Sequence, residues 1–400
     1  MNKKMKIAIV NVFFPPYSIG GATRVVADNV ESLLNNHRNE FEVVVFSSHP
    51  DHEEDYVLDS YAHRGCRVYS LTTKLIHNLE WNAENDAVEK AFKQFLEFET
   101  PDLIHFHCVQ RLTASMLKAA QKLGTPYIVT VHDAWWISDY QFLVDKQGQV
   151  YANGHEDSLS IPKPPSGISE VESLQRRMKL KTLLHGAKKI LAVSDSFTDL
   201  YKRNGFANCE TSKNGLSSGM KWQPKSTKSK ENLVLGHLGG MSNHKGYDLL
   251  KTCISSLNLD SVELIIADHS KGPDYVRKSM WGSSMVTFIG RQAQDSMVEI
   301  YKSIDVLVAA SIWPESFGLV SREALACGCW VVASDIGGIG EDIDEGVNGH
   351  KVKAGSMDDL KRVIQMMANN PSKYKELSKS KALRSSDEQV EELVKHHYQV

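Results

Sequence analysis

The sequence predicts an α/β protein with two Rossmann-like domains facing each other across a cleft. Three observations carry that expectation: short apolar runs that do not alternate polar with apolar, amphipathic stretches between them, and a single break in this alternation. In the first half the runs fall at 6–12, 41–46, 103–106, 127–131 and 189–193. In the second half they fall at 233–238, 262–267, 285–289, 306–309 and 330–333. They are short and rich in β-branched residues, as strands covered on both faces of a parallel sheet are. Between them the apolar residues take helical spacing: Val88, Ala91, Phe92, Phe95 and Leu96 fall at i, i+3, i+4, i+7 and i+8. Strands alternating with helices give a doubly wound architecture.

The break lies at 215–231, a Ser- and Lys-rich stretch with Gly and Pro and no periodicity, which reads as a linker. The expected division is therefore a first domain at 1–215, a linker at 216–231, a second domain at 232–385 and a final helix at 386–400. A second irregular region, 139–169, carries Pro162, Pro164 and Pro165. A connection of that length inside a domain usually serves function.

The 400 residues suffice for about two domains, and 46 Lys+Arg against 49 Asp+Glu leave a net charge of −3. That balance disfavours a nucleic-acid binder running on bulk positive charge. No apolar run approaches the roughly 20 residues that span a bilayer. The run 7–10 is interrupted by Asn11 and is too short for a signal-peptide core, so the expected location is the cytosol. Six scattered cysteines exclude a disulfide framework, and Cys327-Gly328-Cys329 matches no zinc spacing.

Three loops at strand ends carry candidate chemistry. After the first strand, Gly20-Gly21 precedes a helix, where paired glycines let an anion approach the helix amides. After the first strand of the second half, Gly239-Gly240-Met241-Ser242-Asn243-His244-Lys245-Gly246 places Lys245 before a helix. There it either meets a phosphate or lies on solvated surface. The segment 311–326 carries Glu315 at a strand-to-helix turn and Glu323 eight residues on. Eight residues of helix advance about 12 Å, which suits two contacts on one extended ligand. Carboxylates accept from sugar hydroxyls, and small or apolar flanks imply that the pair is buried for a reason.

Glu315-x7-Glu323, framed by Glu-Ser-Phe-Gly-Leu and Arg-Glu-Ala-Leu-Ala, resembles the signature of retaining nucleotide-sugar glycosyltransferases, and the chain is most similar to glycosyltransferase family 4, of GT-B fold. The resemblance extends in family order through Gly20-Gly21, His132-Asp133, Asn214-Gly215, Lys245-Gly246, Asp335-x-Gly337-Gly338 and Asn348-Gly349. The block 132–140 is most similar to members that build bacterial surface polysaccharides such as O-antigens. The resemblance implies a UDP- or GDP-linked hexose donor held mainly by the second domain. It also implies a glycan or lipid-linked glycan acceptor held mainly by the first, and a terminal helix crossing back to the first.

Carried onto this chain, the family's roles place Gly20 and Gly21 near the donor diphosphate and His132 on the transferring sugar. Lys245 would offset charge on the leaving diphosphate, and Glu315 would bind sugar hydroxyls with Phe317, Gly318 and Leu319 offering backbone amides. Glu323 would hold the ribose. One departure stands out: many members carry Arg five residues before the Lys, and here that position is Gly240, so Lys245 acts with amides alone or Arg291 reaches in. A front-face mechanism is favoured over double displacement. No cofactor and no metal are expected, and the DxD-like Asp342-Ile343-Asp344 reads as solvated surface.

On the acceptor side, His107, Asp133, Trp135 and Trp136 are candidates, although the Trp pair fits a sugar platform and a core equally well. The basic stretch 176–189, with interleaved Leu and Met, is either a solvated face or a contact with anionic lipid at the inner face of the plasma membrane. A sugar-nucleotide epimerase of the same fold and a non-catalytic sugar-binding member are the alternatives.

Overall fold

A computed structural model describes residues 3–17, 20–51, 55–155, 162–218, 220, 232–378 and 383–399. The chain forms two compact units. One comprises Met1–Leu143, Asn153–Ser217 and Arg384–Val400, and the other comprises Val144–Ala152 and Ser218–Leu383. Three boundaries differ from the expected ones: Val144–Ala152 clusters with the second unit, Leu216 and Ser217 with the first, and Arg384 and Ser385 with the first. Most of the expected linker, 219 and 221–231, lies outside the described residues.

Among the described residues the first unit has an eight-stranded sheet: β1 (Met5–Val10), β2 (Phe41–Ser48), β3 (Leu58–His63), β4 (Cys66–Leu71), β5 (Leu103–Phe106), β6 (Tyr127–Val131), β7 (Lys189–Ala192) and β8 (Cys209–Thr211). Their spatial order is β3-β4-β2-β1-β5-β6-β7-β8, parallel throughout except for β3. The winding direction reverses between β1 and β5, and ligands of open α/β sheets bind outside the carboxyl ends at such a point. Period-2 geometry divides β1 and β2 between two cores. Ala8, Val10, Val44 and Phe46 pack with Phe92, Phe95 and Phe106, while Ile7, Ile9, Val43 and Val45 pack beneath the helix Gly20–Asn36. The expected apolar stripe forms the helix Asp86–Glu99, capped by the Asn85 side chain accepting from the Ala87 and Val88 amides.

The second unit has seven strands: β9 (Leu233–His237), β10 (Val262–Asp268), β11 (Val276–Trp281), β12 (Ser284–Gly290), β13 (Val306–Ala309), β14 (Trp330–Ser334) and β15 (Gly349–Val352). Their order is β11-β12-β10-β9-β13-β14-β15, with β11 antiparallel, and the reversal falls between β9 and β13. The helices Tyr247–Leu257 and Met357–Ala368 cover one face through Leu250, Ile254, Leu360 and Ile364.

The terminal helix begins at Ser386 with a Ser385/Glu388 capping box and ends at Glu392. A wider π turn, Leu393–His397, follows, where the sequence reading had one helix. Val390, Leu393, Val394 and Tyr398 complete the core beneath the helix Gly20–Asn36. All six cysteines are buried free thiols.

Candidate active site

In the second unit the reversal between β9 and β13 brings two distant loops together. The loop after β9 closes in a short turn, Asn243–Lys245, and the loop after β13 carries Glu315. Lys245 Nζ lies 3.0 Å from Glu315 Oε2, and Ser311 donates to Glu315 Oε1. The Lys245 ammonium also stands 5.1 Å over the Trp313 ring. The two loops are tied by the Ile312 amide donating to the His244 carbonyl at 2.9 Å. His237, buried at the end of β9, places Nδ1 3.0 Å from the Val308 carbonyl and Nε2 2.9 Å from the Gly240 carbonyl, which holds the glycine turn against β13.

Glu315 is fixed from its other side by the loop after β14. Its carbonyl accepts from the Gly338 amide at 2.7 Å, and Gly337, at φ +64°, comes so close that a Cβ there would sit 2.5 Å from that carbonyl oxygen. Arg322 clamps the same loops. Its guanidinium donates to the Phe317 and Gly338 carbonyls, pairs with Asp342 at 2.5 Å and stacks on Phe317. Asp342 is thus an ion-pair partner of a buried arginine, which corrects its reading as solvated surface.

The helix Leu319–Ala326 starts after Gly318 with no side-chain cap, leaving its first amides for an anion. Glu315 precedes this helix, so the expected 12 Å rise between the two glutamates does not apply. Glu323 is 2% exposed and accepts from Tyr301 OH at 2.8 Å and Gln294 Nε2 at 3.3 Å.

In the first unit the reversal between β1 and β5 gathers a second set of groups. Gly20, at φ +83°, opens the helix Gly20–Asn36, and Gly21 follows within it. Asn11, missed in the sequence, donates to the Phe13 carbonyl at 2.8 Å and to Thr23 Oγ1 at 3.3 Å and accepts from the Cys108 amide at 3.1 Å. It thereby joins the loops after β1 and β5. His107 Nδ1 and His132 Nε2 are 2.9 Å apart, and His105 bridges Thr130 (2.7 Å) and Tyr398 OH (2.9 Å). Burial keeps these rings uncharged, pushing His132 down to about 4 and His105 to about 3 and holding His107 well below its ordinary value.

The other acceptor-side candidates are structural. Trp135 and Trp136 are buried in the core, edge to face at 5.1 Å, so they form no exposed sugar platform. Asp133 is buried and accepts from the Trp135 amide (2.9 Å), Gln110 (2.9 Å) and Gln141 (2.7 Å), and burial raises it to about 6. Arg176, placed in the basic patch by the sequence, is 3% exposed and donates to the carbonyls of Trp81, Ser138 and Trp135. Among the described residues no group of three or more His, Cys, Asp or Glu is placed to hold a metal ion, and no helix is long and apolar enough to cross a membrane.

Two family models match consecutive parts of the chain: Glycosyltransferase Family 4 over 19–216 and Glycosyl transferases group 1 over 220–384. The chain belongs to glycosyltransferase family 4. This glycosyltransferase is 24% identical over 382 residues to an uncharacterized glycosyltransferase of Methanocaldococcus jannaschii, covering 94% of this chain and 92% of that one. It is also 24% identical to an uncharacterized 42.6 kDa protein in the cps region of Klebsiella pneumoniae, over 84% of this chain and 87% of that one. Two solved structures share its GT-B fold. Sucrose-phosphate synthase from Thermosynechococcus elongatus has a TM-score of 0.68 at 17% identity, covering 98% of this chain and 95% of that one. HepE of Anabaena in complex with UDP-glucose has a TM-score of 0.59 at 18% identity, covering 97% and 94%. The α/β expectation and the family assignment therefore hold for the glycosyltransferase.

Proposed function

We propose that this transferase moves a hexose from a UDP- or GDP-linked donor to a glycan acceptor, lipid-linked, in bacterial surface polysaccharide synthesis, with retention and without a metal. The observation that carries the reading is the Lys245–Glu315 pair at the β9/β13 reversal, close to the uncapped start of the helix Leu319–Ala326. That combination presents a cation and free amides to a diphosphate and a fixed carboxylate to sugar hydroxyls. UDP-glucose in the Anabaena relative and the cps-region relative lend support to the donor and the pathway.

In this reading the anomeric C–O bond to the diphosphate breaks while the acceptor oxygen bonds from the same face. The acceptor proton passes to the departing phosphate oxygen. Lys245 and the amides of Gly318 and Leu319 take up the charge that develops on the diphosphate, the role expected to dominate the rate enhancement. Glu315 orients the sugar and Glu323 sits at the ribose. Positive charge from Lys245 and the amides fills the place a metal would take. The membrane contact falls on Val171, Leu174 and Met178, exposed at helical spacing on the helix Glu170–His185, with Lys181 on the same helix, rather than on Arg176.

The Glu315→Gln variant tests the role of the carboxylate. It should lose kcat by about 100-fold or more while its affinity for the nucleoside diphosphate stays near wild type. Wild-type turnover in this variant would remove Glu315 from the donor site.

A further inference from the structure

The Gly239-Gly240 turn after β9 has side chains along both of its glycines. A Cβ on Gly239 would lie 3.9 Å from Lys245 Cδ, so Lys245 runs past the first glycine. A Cβ on Gly240 would lie 3.2 Å from His269 Nδ1 and 3.6 Å from His269 Cε1, so the imidazole stands against the second. Gly240 has φ +92°, a backbone conformation that favours glycine, and a Cβ there would also crowd the adjoining ring. His269 directly follows β10, the strand beside β9, and reaches the same carboxyl edge of the sheet. The residue is accessible to solvent, its ring is partly covered and hydrogen-bonded to the Leu238 backbone, and it lies within electrostatic reach of Lys245, Arg291 and Asp268.

We propose that His269 is a second phosphate-binding residue of the donor site, taking a diphosphate oxygen beside Gly240 as Lys245 does beside Gly239. The inference rests on the reading that a nucleoside diphosphate-sugar binds at this edge. It explains how the turn binds anions without an arginine at position 240: the imidazole occupies the room that glycine leaves. As an imidazolium the ring donates from both nitrogens, one to the Leu238 backbone and one to a phosphate oxygen. Partial burial, Arg291 and Lys245 hold the free ring below its ordinary value, while the Leu238 backbone and Asp268 favour the charged form, and an arriving phosphate adds to that side.

The test compares diphosphate with bare nucleoside by calorimetry, using whichever of UDP, GDP, ADP or CDP the wild-type protein binds. His269→Ala and His269→Gln should each weaken the diphosphate about tenfold or more, the worth of one charge-assisted hydrogen bond, and leave the nucleoside within about twofold. An unchanged melting temperature would establish that both variants fold. Diphosphate affinity within about twofold of wild type would overturn the inference, as would an equal loss for the nucleoside. Wild-type protein that bound none of the four diphosphates would overturn the donor reading and the inference with it.

Discussion

Lys245 and Glu315 lie 70 positions apart in sequence, and each was recognisable on its own through a motif. The groups that hold them were not. Ser311, His237 and Arg322 act through hydrogen bonds to loop backbone or to the carboxylate, and such bonds leave no spacing in a sequence. Asn11 is the same case in the first unit. Burial decides the Trp135-Trp136 pair, open between platform and core in the sequence, for the core, whereas Arg176 misleads, since a basic residue type suggests a surface role. The arginine is buried because three backbone carbonyls satisfy its guanidinium. The residue-scale prediction concerns Lys245. Replacing it by Ala removes the cation that the proposed donor site sets against the diphosphate, and kcat should fall by about 100-fold, roughly 3 kcal/mol of barrier, in steady-state kinetics. A loss below about threefold would show that the amides suffice.

At the scale of elements, β5 and β6 of the first sheet end in a stack of imidazoles. The rings of His105 and His107 are 4.0 Å apart, and those of His107 and His132 are 5.2 Å apart. Burial depresses all three, so the folded state binds fewer protons than the unfolded chain between the unfolded histidine value near 6.5 and the folded values of about 3 and 4. Stability is therefore retained above about pH 6.5 and lost as pH falls below it. Each pH unit costs on the order of 1.4 kcal/mol per ring. Asp133, raised to about 6, works the other way between about pH 6 and 4 and offsets part of that loss. The melting temperature should drop on acidification from pH 7 to 5, and His105→Gln should flatten the slope. A flat wild-type profile over that range would mean that the rings take protons in the folded state.

At the scale of the whole molecule, the runs that marked ten strands all appear in the two sheets. The strands β3, β4, β8, β11 and β15 were not anticipated. β3 and β11 are sheet-edge strands with exposed, polar-rich sequences such as Leu-Asp-Ser-Tyr-Ala-His, and β8 is three residues long. Their pairing depends on a neighbouring strand rather than on their own apolar content. The excursion of Val144–Ala152 into the second unit is a tertiary outcome that local pattern does not encode. The family frame was legible because its motifs occupy strand ends, where chemistry restricts residue type.

The central claim is that the second unit binds a nucleoside diphosphate-sugar through side chains and amides. It is tested most directly by a thermal-shift and calorimetric panel of UDP, GDP, ADP and CDP with their sugars, run with and without EDTA. The account predicts stabilisation by one nucleoside diphosphate and its sugars, unchanged by the chelator; at a hundredfold excess over Kd this amounts to about 2.7 kcal/mol. Silence across the panel, or binding that EDTA abolishes, would contradict it.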